Sequence, residues 1–171
     1  MKFTLREFRP EDFEVLWSID QKCFAPGIAY SRRELATYIQ RRGSFTVVAE
    51  GSSQEPGKAD ASTRDSGIVG FIVAEANRRG VGHIISIDVL PRARRSGVGS
   101  KLLAIAEERL RSGGCRAVVL EMAVDNASAL SFYKRHLYHV IRAIPRYYSN
   151  GMDALLLGKG LEPQPESAAA G

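Results

Sequence analysis

The sequence predicts an α/β fold in the order β-α-α-β-β-β-α-β-α-β-β, on three observations. Residues 84–103 (I-I-S-I-D-V-L-P-R-A-R-R-S-G-V-G-S-K-L-L) run from an apolar strand through Pro91 and a glycine-containing basic turn into a helix. A break at Ser112-Gly113-Gly114 and a second apolar run, residues 116–123, follow that helix. Strand, helix and strand in that order predict a parallel pair joined by a right-handed crossover. Asn150-Gly151, between apolar runs at 140–144 and 154–157, marks a turn joining a closing pair of strands.

Each element has its own local reason. Phe3, Leu5 and Phe8 alternate with Lys2, Thr4 and Arg6, which predicts a first strand over 2–8. Pro10-Glu11-Asp12 opens a helix, with proline in its first turn and acids at its positive end. Phe13, Leu16, Trp17 and Phe24 supply its buried stripe, and turn residues make 24–30 a loop. Ser31-Arg32-Arg33-Glu34 is a capping box starting a second helix through about Arg42. Residues 45–49 and 68–74 read as strands on either side of a polar, turn-rich loop at 51–67, which is expected to be mobile. Asn77-Arg78-Arg79-Gly80 turns into a fourth strand over 82–90. Val98, Leu102, Ile105, Ala106 and Leu110 lie on one face of the following helix, and residues 126–137 form the last one. Residues 1–160 are expected to form one domain, with 161–171 a frayed tail.

Hydrophobic content of 44% and charged content of 25% place the 171-residue chain among globular proteins able to bury a core without staples. No apolar run approaches the roughly 18 residues a membrane span needs, and the alternating, charged start M-K-F-T-L-R-E-F reads as a strand rather than a signal peptide. Cys23 and Cys115, far apart and outside any C-x-x-C, are expected to be buried thiols in a reducing cytoplasm. The three histidines have no metal-ligand spacing, so no metal is expected. A net charge of +5 suits either an anionic cofactor or nucleic acid, and charge alone does not choose.

The turn at 94–99 is a candidate phosphate cradle. The first amides of a helix lack intrahelical partners and its dipole favours negative charge there. Glycines at 97 and 99 let backbone come close, and Arg94 and Arg95 add charge-assisted hydrogen bonds. Neither a Walker A nor a G-x-G-x-x-G pattern is present. Arg94-Arg95-Ser96-Gly97-Val98-Gly99, preceded by V-L-P, resembles the coenzyme A pyrophosphate loop (Arg/Gln-x-x-Gly-x-Gly/Ala) of the GNAT acetyltransferases. Asn126-Ala127-Ser128-Ala129-Leu130-Ser131-Phe132-Tyr133 resembles that superfamily's second signature, N-x-x-A-hydrophobic-x-hydrophobic-Tyr. The element order matches too, which implies the GNAT acyl-CoA N-acyltransferase fold, a central mixed sheet with helices on both faces.

The resemblance implies acetyl-CoA as cofactor, held by Arg94–Gly99 and Ser100, by Ile87, Asp88 and Val89 of the preceding strand, and by Asn126, Ala129 and Tyr133. Within the superfamily three stretches are similar to the N-terminal (Nα) acetyltransferases, including those acting on ribosomal proteins: Gly82-His83-Ile84-Ile85-Ser86-Ile87, Val119-Leu120-Glu121-Met122, and residues 146–154, close to R-Y-Y-x-D-G-E-D-A. Asn150 and Met152 depart from that last pattern, and the chain lacks the glycine of the family's Y-x-x-hydrophobic-G-F after Tyr133. His136 and His139 are expected at the surface.

Acetyl transfer to an amine needs a neutral amine and a stabilised leaving thiolate. Glu121, mid-strand among apolar neighbours, is the first candidate base, with an ion pair to an arginine as the structural alternative. His83 is the second. Tyr133 stands, by resemblance, near the departing sulfur. Full proton transfer from tyrosine to thiolate is uphill by about 2 kcal/mol, so a strong hydrogen bond is the alternative. Phe24, Tyr30, Tyr147 and Tyr148 are candidate acceptor-binding residues. The implied acceptor is a protein or peptide N-terminus. A small amine, a lysine, or a non-catalytic acyl-CoA or RNA-binding role are the competing expectations, and the oligomeric state is not legible.

Overall fold

The computed structural model describes residues 1–52 and 67–162. In chain order these form β1 (Phe3–Glu7), a 3₁₀ turn (Pro10–Asp12), α1 (Phe13–Cys23), α2 (Arg32–Gln40), β2 (Ser44–Gly51), β3 (Ile68–Ala76), β4 (Val81–Val89), a second 3₁₀ turn (Pro91–Ala93), α3 (Val98–Ser112), β5 (Ala117–Ala123), α4 (Ala127–Arg135), β6 (His139–Ile144) and β7 (Ala154–Gly160). The order is the one the sequence predicts. The expected loop at 51–67 and the expected tail fall almost wholly outside the described residues, apart from Gly51, which ends β2, and Ser52, Gly67, Leu161 and Glu162.

Seven strands make one sheet in the order β1-β2-β3-β4-β5-β7-β6, antiparallel everywhere except between β4 and β5. Apolar side chains alternate to two cores. One face packs Ile72, Ile84, Val118, Leu120 and Leu157 against Val98, Leu102, Ala106 and Leu110 of α3. The other packs Val48, Phe71 and Val73 against Leu16, Ile19 and Leu35 of α1 and α2. Gly82 allows α3 to sit close: a Cβ there would lie 2.6 Å from Leu110 Cδ1.

Two irregularities position the site. The parallel ladder covers only Val81↔Ala117, Gly82↔Val118 and His83↔Val119, after which β4 and β5 part. On the other edge of β4 the register jumps from Val73↔Ser86 to Ala74↔Ile84, so Ile85 is bulged out of the ladder. The extra residue resets the alternation. Ile84, Ile87 and Val89 meet the α3 core while Ile85 meets the α1 core.

Several boundaries differ from expectation for physical reasons. The first helix begins as a 3₁₀ turn, because the Asp12 carboxylate accepts from Arg9 N–H (2.8 Å) and from Arg6 Nη1 and Nη2 (2.7 and 3.0 Å). Phe24 lies one residue past α1, in extended backbone, rather than in the helix stripe. The Ser31/Glu34 capping box is formed as predicted, through bonds of 3.1 and 2.7 Å. After Tyr133 nothing is inserted. Leu137 takes the place of the family glycine in the left-handed region (φ 69°), and Tyr138 N–H donates to Tyr133 O (3.0 Å) in a Schellman-type close. Tyr138 is buried there, its hydroxyl donating to Glu107 Oε1 (3.1 Å) while Lys159 Nζ donates to Oε2 (2.8 Å).

Candidate active site

Where β4 and β5 part, a cavity of about 1080 Å³ runs between the start of α3, the start of α4 and the 24–30 loop. Ser100 and Gly97 line it from the start of α3, Asn126 and Tyr133 from α4, and Tyr30 and Glu121 from the 24–30 loop and β5. The start of α3 has a cradle's geometry. Arg95 (φ 60°) and Gly97 (φ 88°) are both left-handed, curling the backbone before α3, whose first amides have no side-chain cap. A Cβ on Gly97 would meet nothing within 4 Å, so the surface is open. Ser96 Oγ turns back to Ala93 O, and Arg94 Nε donates to Val89 O (3.0 Å), tying the loop to the end of β4. The Val98 side chain is in the core. His136 is half-buried rather than at the surface. It stacks on Phe132 at 4.7 Å between ring centroids, bonds Ser100 Oγ at 3.0 Å, and is held below the usual imidazole pKa chiefly by burial. His139 is exposed, as expected.

Asn126 caps α4, its Oδ1 accepting from Ala129 N–H (3.1 Å). Tyr133 is 7% exposed and borders the cavity, and among the described residues no protein group hydrogen-bonds its hydroxyl. Burial first, and the nearby Asp88 second, push that phenol above its ordinary pKa. That makes proton donation still more uphill and favours a hydrogen-bonding role.

The two candidate bases form a pair. His83 Nε2 and Glu121 Oε2 lie 2.6 Å apart. His83 is paired across the ladder with Glu75, whose Oε1 is 4.0 Å from His83 Nδ1 and accepts from Arg41 Nη1 at 3.1 Å. Glu121's partner is thus a histidine, not an arginine. Around the pair stand four tyrosines. Tyr30 and Tyr38 rings are 5.3 Å apart, and Tyr147 and Tyr148 are 4.9 Å apart, edge to face. Burial, then the Glu121 carboxylate, pushes the Tyr147 hydroxyl up to about 12. Tyr30 OH donates to Ile85 O (3.1 Å), the bulged residue.

Most of the residues singled out from sequence meet in this cleft. Phe24, Tyr30, Arg94, Arg95, Gly97, Gly99, Ser100, Glu121, Asn126, Ala129 and Tyr133 all border it, while Ser96 and Val98 do not. Asp88 lines it too, but its carboxyl is buried and bonded by Ser86 Oγ–H, so its backbone is what remains for a ligand. His83, Tyr147 and Tyr148 stand behind or beside Glu121 rather than on the cavity wall. Sequence reasoning missed Glu75, Tyr38, Asp20 and Met152. Only Met152, as a departure from the R-Y-Y-x-D-G-E-D-A pattern, carried a local signal.

The Acetyltransferase (GNAT) family matches residues 13–137, and the chain belongs to that family. It is 38% identical over 96 residues to an uncharacterised N-acetyltransferase of Methanocaldococcus jannaschii, covering 56% of this chain and 61% of that protein. It is 33% identical over 81 residues to an N-alpha-acetyltransferase of Sulfurisphaera tokodaii, covering 47% of this chain and 48% of that one. The aligned part thus spans about half to three fifths of these relatives. The crystal structure of Ard1 from Thermoplasma volcanium superposes with a TM-score of 0.79 at 26% identity, over 95% of this chain and 99% of that one.

The donor that the family implies, acetyl-CoA, fits what is present. A capless helix start with an open left-handed turn suits a pyrophosphate. Beyond His83, β4 has no β5 ladder partner among the described residues, so its backbone there, apart from the Ile85 and Val89 carbonyls that side chains already hold, is open to an extended amide-bearing arm. Among the described residues no cluster could hold a metal ion, and no helix is long and apolar enough to cross a membrane.

Proposed function

We propose that the protein is an acetyl-CoA-dependent N-acetyltransferase whose acceptor is the N-terminal α-amine of a protein or peptide, with direct transfer in a ternary complex. The observation that carries the reading is the His83–Glu121 pair, whose carboxylate lines the same cleft as an anion cradle and Tyr133. Bound along β4, the donor supplies an acetyl group activated as a thioester.

Glu121 takes the proton from the acceptor ammonium. An ionised carboxylate can only accept hydrogen bonds, so His83 Nε2 donates to it and fixes the direction of its free lone pairs. The neutral amine then forms the C–N bond as the C–S bond breaks, Tyr133 donates a hydrogen bond to the departing sulfur, and the extra proton on the new amide nitrogen is lost to water as the thiolate takes one up, giving amide and thiol. An α-amine (pKa about 7.7–8.0) is roughly 3.5 kcal/mol easier to deprotonate than a lysine side chain (about 10.4), so a carboxylate base serves the first far better than the second. Tyr30, Tyr147 and Tyr148, with Phe24, supply a mixed apolar and hydroxyl wall for the first residues of a peptide. Asn150 and Met152 line the same cavity and set which residues are taken.

The test is thiol release from acetyl-CoA with lysine-free peptides bearing free or blocked N-termini. Turnover is expected on the free peptide alone; equal rates on both would overturn the acceptor assignment.

A further inference from the structure

Asp20 on α1 and Asp88 on β4 are 0% and 1% exposed, and among the described residues no cation pairs with either in a salt bridge. Asp20 Oδ2 accepts from Tyr30 N–H (2.8 Å) and Gln21 Nε2 (3.2 Å), and Asp88 Oδ1 accepts from Ser86 Oγ–H (2.5 Å). The other two oxygens, Asp20 Oδ1 and Asp88 Oδ2, have no donor, although the two carboxyls are within hydrogen-bond contact of each other. Two ionised carboxylates only accept, and burying them side by side costs more than burying one. A single proton between them satisfies both orphaned oxygens.

We propose that Asp20 and Asp88 share one proton, and that this carboxyl–carboxylate bond is the strut holding the 24–30 acceptor loop against β4, which makes both of them positioning residues for the transfer. The proposal rests on the assignment of that loop to the acceptor. Three ties span the same stretch of β4: Tyr30 OH to Ile85 O, the acid pair at Asp88, and Cys23 Sγ–H to Val89 O at 3.5 Å. That stretch is also the one that has left the β5 ladder, where the donor would lie. The strut therefore sets the distance between acceptor and donor halves of the cleft.

The groups facing the pair are Cys23 and Gln21 from α1, Tyr30 from the loop, Glu34 from α2, Ser86 from β4, Arg94 from the turn after it, and Tyr133 from α4. Burial is the largest influence on each acid, raising Asp20 to about 6 and Asp88 well above the usual carboxylate range. Loss of the proton leaves two negative charges in a dry contact, and the loop is released from β4.

Trp17, the chain's one tryptophan, donates from Nε1 to Tyr30 O (3.3 Å) and reports on the loop without any substrate. Infrared spectra of the substrate-free wild-type enzyme at neutral pH are expected to contain the C=O band of one protonated buried carboxyl, absent in Asp88→Asn. Trp17 fluorescence is expected to titrate as the pair loses its proton with rising pH in the wild type and stay flat in Asp88→Asn, whose amide donates to Asp20 without a proton. Asp88→Ala is expected to raise the acceptor KM about tenfold, and Asp88→Asn to restore it. No carboxyl band at neutral pH, or the same Trp17 titration in Asp88→Asn, overturns the proposal whether or not any variant folds poorly. Because both spectra are read without substrates, a failed peptide assay and a failed strut are told apart.

Discussion

His83 and Glu121 meet at 2.6 Å across the parallel β4–β5 pair, at the place where that pair stops pairing. His83 is the last β4 residue in the ladder, opposite Val119, and Glu121 is two residues further along β5, on the same face as Val119. The pair bridges the mouth of the opening. Behind it, Glu75 and Arg41 continue the line of alternating charge onto β3 and the end of α2.

The two side chains should therefore behave as one unit. Glu121→Gln is expected to lower kcat by about 10²–10⁴-fold, the usual contribution of a general base. His83→Gln is expected to lower it less, and the double variant to be no worse than Glu121→Gln alone. Steady-state kinetics on all four proteins checks this; losses that simply multiply would contradict it.

Tyr133→Phe removes a hydroxyl that no described protein group hydrogen-bonds. Stability and donor affinity are expected to stay as they are, while kcat falls about 10²-fold for a lost transition-state donor. Thermal melts, coenzyme A titration and kcat together test it, and an unchanged kcat would remove Tyr133 from the chemistry.

Leu137 is 76% exposed at φ 69°, where glycine is the unstrained residue. Leu137→Gly is expected to raise stability by about 0.5–1 kcal/mol, the relief of left-handed strain less the entropy cost of glycine. Denaturant unfolding reads the sign directly.

Asp12 is held below the usual carboxylate pKa of 3.8 chiefly by its hydrogen bonds from Arg6. A depressed native pKa gives stability that is present above 3.8 and lost as pH falls through the native value. Asp12→Asn is expected to lower Tm at pH 7, with the gap to wild type closing below about pH 4. A gap that is constant down to pH 2 would contradict the linkage.

What was legible in the sequence was what local backbone dictates. The 94–99 turn and the 126–133 helix start are set by glycines, a cap and a helical period, and both lie in the cleft. The bulge at Ile85 was not legible, because one unpaired residue resets the alternation without changing composition. For the same reason Glu75, Tyr38 and the Asp20–Asp88 contact went unseen: each depends on which strand or helix lies alongside. Glu121 and His83 were each singled out, but their bond is a product of strand register.

The most direct measurement is site mapping by mass spectrometry on one peptide that carries both a free α-amine and a free lysine, incubated with acetyl-CoA and the enzyme. Acetylation is expected on the α-nitrogen, with none on the lysine and none in the Glu121→Gln variant over the same time. Acetyl found on the lysine nitrogen, with the N-terminus left free, would contradict the α-amine assignment.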